Sequence, residues 1–122
     1  EDGMSVGRDI RINQAGTAVY AVGKFQGDVD FYHSDSLSAQ YTVSEDIFIW
    51  ALGTCGGYWD VYTPSSGDGD RANGVGIGSD GRIYCTGYFG DGDGSSSDDD
   101  FGSIDLTGTS GDRSVFAWKL WE

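Results

Sequence analysis

Ile10-Arg-Ile-Asn-Gln-Ala-Gly-Thr-Ala-Val-Tyr-Ala-Val-Gly-Lys-Phe25 is written a second time, in altered letters, as Val75-Gly-Ile-Gly-Ser-Asp-Gly-Arg-Ile-Tyr-Cys-Thr-Gly-Tyr-Phe89. The two runs align with one residue of slippage in the turn: Ile12 over Ile77, Gly16 over Gly81, Tyr20 over Tyr84, Gly23 over Gly87 and Phe25 over Phe89. Further on, Asp46-Ile-Phe-Ile-Trp-Ala-Leu52 lies over Ser114-Val-Phe-Ala-Trp-Lys-Leu120. Phe31 or Phe101 and Leu37 or Leu106 stand in the stretch between. Tyr20 to Tyr84 is 64 positions and Trp50 to Trp118 is 68, which sets a unit of about 65 residues, present almost twice. Self-similarity at such a period is a mark of repeat architecture.

Both units read as β-structure. Apolar or alternating β-prone runs recur at 9–12, 18–22, 39–43, 47–52 and 59–63, and again at 74–77, 82–86, 103–107 and 115–121. Turn chemistry separates them, in Gln14-Ala-Gly16, in Ser79-Asp-Gly81 and in the Gly-Asp clusters at 67–70 and 90–94. No stretch sustains a helical period with caps. The expected fold is all-β, one domain over residues 1–122 made of two units at about 5–70 and 71–122. Each unit has room for about four short strands, the size of one propeller blade. Blades are covered on both faces, so strict alternation should weaken, as it does around Val19, Tyr20 and Val22 and around Phe48, Ile49 and Trp50.

The run from Arg71-Ala-Asn-Gly74 through Tyr84-Cys-Thr-Gly-Tyr-Phe89 resembles the opening of a bacterial β-propeller repeat of the SBBP type. Ser114-Val-Phe-Ala-Trp-Lys-Leu120 is similar to the closing strand of that repeat, and Gly57-Tyr-Trp59 with Gly67-Asp-Gly-Asp70 to the link between repeats. The chain departs from the family at Trp50 and Trp118, where a small residue is usual, and in the acidic insertion from Gly90 to Asp100. The resemblance implies blades on extracellular or cell-surface proteins, usually without catalytic activity.

Two blades do not close a ring, since propellers carry about 4–8. An isolated pair would leave faces and strand edges exposed. Three or four copies closing a ring, copies stacking head to tail into a fibre, and a piece of a longer propeller all remain open. The strand containing Trp59 has no complete counterpart after Trp121, so a neighbour is expected to supply one by β-augmentation. Self-association is the expectation. Residue 1 is Glu and no charged-then-apolar leader follows, which reads as a mature, trimmed or excerpted chain.

Charge narrows the partners. Twenty acidic against seven basic residues, a net charge of −13, argues against nucleic acid and against anionic membrane surfaces. No apolar run approaches the length of a membrane span. Abundant Gly, Ser, Thr, Asp and aromatics fits a secreted or cell-surface setting.

Asp91, Asp93, Asp98, Asp99 and Asp100 crowd one Gly/Ser loop, with Asp105 nearby, and are the first candidate for Ca²⁺, which takes 6–8 oxygens in flexible geometry. The competing reading is a solvated acidic loop. Asp68, Asp70 and Asn73 form a second, weaker candidate, set against a tight turn between units. Calcium would also screen like-charged copies as they assemble. Tyr58, Trp59, Tyr62 and Trp121, with Tyr88 and Trp118, could stack on sugar rings, although aromatics at matched positions also serve as core between blades. Cys55 and Cys85 are either a disulfide or two free thiols, and two cysteines alone do not make a zinc site. His33 is the sole histidine and nothing gathers a triad around it. The function expected is that of a non-enzymatic structural subunit that self-assembles into a ring or fibre. The alternative is a calcium-assisted, lectin-like glycan-binding module.

Overall fold

The computed structural model describes residues 3–31, 35–38, 45–55, 58–63, 69–89, 98–100, 105–107 and 114–120. The described residues are all-β, with no helix. The strands are β1 (Met4–Ile12), β2 (Ala18–Gln26), β3 (Asp28–Phe31), β4 (Asp35–Ser38), β5 (Asp46–Gly53), β6 (Tyr58–Tyr62), β7 (Arg71–Ile77), β8 (Ile83–Phe89), β9 (Asp98–Asp100), β10 (Asp105–Thr107) and β11 (Ser114–Leu120). A four-stranded sheet has the order β1-β2-β5-β6, and a three-stranded sheet the order β11-β8-β7. Two hairpins, β3-β4 and β9-β10, are inserted before the third strand of each sheet.

The sequence decides each element locally. Between β1 and β2, Gly16 takes φ +70°, a left-handed backbone that a side chain resists, and its N–H donates to the Asn13 carbonyl. The Asn13 side chain accepts the N–H groups of Thr17 and Ala18 at 2.8 and 3.1 Å, an Asx turn that closes the hairpin. Between β7 and β8, Gly81 takes φ +79° and its N–H donates to the Gly78 carbonyl. The turn chemistry differs; the backbone outcome is the same.

Pairing runs in corresponding register. Gly23 lies opposite Phe48, Ala21 opposite Trp50 and Val19 opposite Leu52. In the second sheet Gly87 lies opposite Phe116, Cys85 opposite Trp118 and Ile83 opposite Leu120. β1 slips by one residue between Gly7 and Asp9, and β7 slips between Ala72 and Gly74. Arg8 and Asn73 are therefore the extra residues of two β-bulges, which add twist to the first strand of each sheet.

The sheets pack face to face. Tyr20, Val22, Ile47 and Ile49 from the first meet Val75, Ile83, Cys85 and Phe116 from the second in one buried cluster. A smaller cluster on the other face of the first sheet joins Phe25 and Phe48, with Val29 of β3 and Trp50 packed against them. β2 is consequently buried on both faces at Gly23, Lys24 and Phe25, and its alternation is lost there. β8 keeps a strict buried-exposed alternation over its first five residues, because its second face is uncovered.

Several sequence expectations are corrected. The first strand begins at Met4, not Asp9, because pairing with β2 carries it through the bulge. Asp98–Asp100, expected in an acidic loop, is strand β9, with Asp100 opposite Asp105 and Asp98 opposite Thr107. Of the expected strand at 103–107, Asp105–Thr107 is strand β10, and residues 103 and 104 lie outside the described residues. The expected strand at 39–43 lies outside the described residues.

Candidate functional site

The joint between the two sheets is where charge is invested. Lys24, on the buried face of β2, pairs with Glu45, which stands just before β5. The other carboxylate oxygen of Glu45 accepts from Arg71 Nε at 2.6 Å, across the joint at the start of β7. The Glu45 carbonyl also accepts the N–H of Asp70 at 2.6 Å. Burial pushes the Glu45 carboxyl up, but the bonds from Lys24 and Arg71 outweigh it and hold the group below its ordinary value. The same carboxylate raises Arg71, whose guanidinium also lies 5.7 Å from the Tyr88 ring centroid. A second tie crosses at Asp9, where one carboxylate oxygen accepts Val75 N–H at 3.1 Å and the other accepts Ile10 N–H at 2.9 Å. Those two backbone donors hold Asp9 below the ordinary carboxylate value. Sequence reasoning singled out Asp70 as a metal candidate and Tyr88 as a stacking aromatic, but not Asp9, Lys24, Glu45 or Arg71. The signal for one of them was there: Lys24 sits between Gly23 and Phe25 where the second unit has Tyr88.

Away from the joint, each sheet turns one apolar face outward. On the first, Ile10 is 59 % and Ile12 60 % exposed, next to the half-buried Val19, Ala21, Trp50 and Leu52. On the second, Val115 is 81 % and Tyr84 43 % exposed, beside Thr86 and Ala117. Isolated exposed apolar side chains are ordinary; contiguous ones mark interaction surfaces. These two faces are the candidate site. A cleft of about 560 Å³ also opens between the two corresponding turns, lined by Ile12, Asn13, Gln14, Ile77, Gly78 and Ser79.

The residues proposed from sequence are placed as follows. Asp91, Asp93, Asp68, Trp121 and His33 lie outside the described residues. Asp98, Asp99 and Asp100 form β9 as described, and Tyr58, Trp59 and Tyr62 belong to β6, with Tyr58 opposite Leu52 and Tyr62 opposite Ile49. Asp70 is buried, whereas Asn73 is the exposed bulge residue of β7. Among the described residues no three His, Cys, Asp or Glu side chains gather around a common metal position. Trp118 packs half-buried against the joint, and Tyr88 lies half-buried under Arg71.

The disulfide is not formed. Cys85 is buried in the joint opposite Trp118, Cys55 is exposed in the turn after β5, and both are free thiols. Burial pushes the Cys85 thiol up to about 12, which leaves almost no thiolate at neutral pH. Titration of the native chain with an aromatic disulfide reagent should therefore read one reactive thiol, Cys55, and a second only after unfolding. Two rapid thiols in the native chain would contradict the burial of Cys85.

No family model, curated protein or solved structure matches the chain.

Proposed function

We propose that this chain is a non-enzymatic, extracellular structural subunit, built of two β-propeller-like units, that assembles with copies of itself. The observation that carries the reading is the coincidence of register with uncovered faces. Two sheets pair their strands in the same register around equivalent bulges. They pack on each other through one face each; on the other face of the first sheet β3 covers Phe25 and Phe48 and leaves Ile10 and Ile12 exposed, and on the other face of the second Tyr84 and Val115 are exposed. A stack of two such units has two unsatisfied ends, and stacking on further copies removes both. Among the described residues, the seven of β11 form one edge of the second sheet, a strand on which a neighbour can add another by augmentation.

The acidic residues Asp91, Asp93, Asp98, Asp99 and Asp100 fit this role as a place for calcium to gather. With a net charge of −13, copies repel at low ionic strength, and a divalent cation lowers that barrier. The test is native mass by light scattering with negative-stain imaging, in Ca²⁺ and after chelation. Closed particles of three or four copies identify a ring, and long threads a fibre. Calcium should shift either toward larger mass. A monomer at every concentration and calcium level overturns the proposal.

A further inference from the structure

The outer faces of the two sheets are counterparts of the faces already joined. Register places Ile10, Ile12, Val19, Ala21, Trp50 and Leu52 of the first sheet at the positions held in the second by Val75, Ile77, Ile83, Cys85, Trp118 and Leu120. Of the second set, Val75, Ile77, Ile83, Cys85 and Trp118 face the joint, and Val75 is 5 % exposed where Ile10 is 59 %. The same holds in reverse. Tyr84, Thr86, Tyr88, Val115, Ala117 and Lys119 on the open face of the second sheet occupy the positions of Tyr20, Val22, Lys24, Ile47, Ile49 and Ala51. Tyr20 is 4 % and Ile47 1 % exposed; Tyr84 and Val115 are 43 % and 81 %.

We infer that the open face of the second sheet in one copy docks on the open face of the first sheet in the next, remaking between chains the joint that holds the two sheets together within one. This rests on the self-assembly reading and adds to it the mating faces and their polarity. The occupant of each face is a second copy of this chain, because each face is the register counterpart of a face that the chain itself already covers. The contact is heterologous, so it propagates into a ring or a filament and never stops at a symmetric dimer.

Details of the two faces agree with an assembly made from soluble subunits. The second sheet's open face is the more polar version of its counterpart, with Thr86 for Val22 and Lys119 for Ala51. Gly74 and Gly76 stand where the first sheet has Asp9 and Arg11, and a β-carbon at Gly76 would meet nothing within 4 Å, so a neighbouring sheet has room to approach. One polar tie of the internal joint cannot be repeated: Asp9 accepts Val75 N–H, and Gly74 offers no carboxylate to the matching donor, Ile10 N–H. That donor is already satisfied by Asp9 of its own chain. The Ile10 N–H is therefore not orphaned when the copies meet.

The experiment uses two double variants, Ile10→Lys with Ile12→Lys on the first sheet and Val115→Lys with Ala117→Lys on the second. Lysine is chosen so that neither variant adds negative charge to an acidic chain. All four positions are exposed, and unchanged circular dichroism and melting confirm that the fold is kept. Ser79→Lys, in an exposed turn off both faces, serves as the control for charge and should assemble as wild type does. At a concentration where wild type assembles, each double variant alone should have the mass of one chain. Their equimolar mixture should give a species of two chains and nothing larger, since only one intact face of each kind remains per pair. If wild type assembles and either double variant still does, or if the mixture stays monomeric, the pairing of faces is overturned while the assembly reading stands. A monomeric wild type overturns both.

Discussion

Gly87→Ala should unfold the second sheet from the first, lowering stability by more than about 3 kcal/mol and Tm by more than about 10 °C. Gly87 lies on β8 opposite Ala72, beside the bulge at Asn73. There the β7 backbone swings so close that a β-carbon would be driven into the Arg71 carbonyl oxygen, with Ala72 Cα only 2.9 Å away. Backbone cannot rotate aside as a side chain does, so β7 would have to move. β7 is the strand that carries Val75 and Ala72 into the buried cluster and Arg71 to Glu45, so displacing it opens the joint itself. Gly23 is in the same position on β2, against the Val6 carbonyl and the Phe48 ring, and Gly23→Ala should be comparably severe. Gly76→Ala is the control. It lies on β7 too, but in open space, and should change stability by no more than about 0.5 kcal/mol. Urea unfolding of the three variants checks this; a Gly87→Ala protein as stable as Gly76→Ala would mean that the bulge is not held as described.

That glycine pair explains why so much of the fold was legible in the sequence. Gly23 and Gly87 sit at matched places because the same bulge recurs opposite them, and Gly16 and Gly81 because the same left-handed turn residue recurs. Backbone demands of this kind leave a mark in single letters, and the all-β fold follows from them together with the alternating runs. The inserted hairpins left less: of their strands only β10, within the run at 103–107, was legible. Asp98–Asp100 is acidic and has no β-former, so its strand character comes from the partner strand across the turn and not from propensity, whereas Asp28–Phe31 alternates Asp with Val29 and Phe31 over only four residues. The faces were legible only in part. Ile10 and Val75 look alike as letters, and which of them is covered depends on a neighbouring sheet that a linear pattern does not specify. The Lys24, Glu45 and Arg71 cluster was missed for a related reason. Each residue reads as a solvated charge in its own segment, and only folding brings together positions 21 and 26 apart in the chain.

Removing the centre of that cluster is the other large effect. Glu45→Gln keeps the size of the side chain but removes the one ion-pair partner that Lys24, only 8 % exposed, has among the described residues. Stranding a buried charge costs about 3–5 kcal/mol, and the partial exposure of the Glu45 side chain, 19 %, puts the expected loss near the lower end, about 3 kcal/mol. Lys24→Met in the Glu45→Gln background should recover most of it, because the stranded charge is then gone and the methylenes still fill the site. Arg71→Met alone should cost less, since its guanidinium is 32 % exposed and can turn to water. The pH dependence has a definite sign. Glu45 is held below its ordinary value of 4.5 in the folded chain, so the unfolded chain takes up the proton first as pH falls. The stabilisation from its charge is complete above that value and is lost progressively below it, through the lower folded value. The gap in stability between wild type and Glu45→Gln should accordingly be constant from neutral pH down to about 5 and close below that, as both chains then carry an uncharged group at position 45. Urea unfolding at pH 7 and pH 3 reads it directly: a gap that persists undiminished at pH 3 would mean that shape at position 45, not its charge, ties Lys24 and the second sheet to the first.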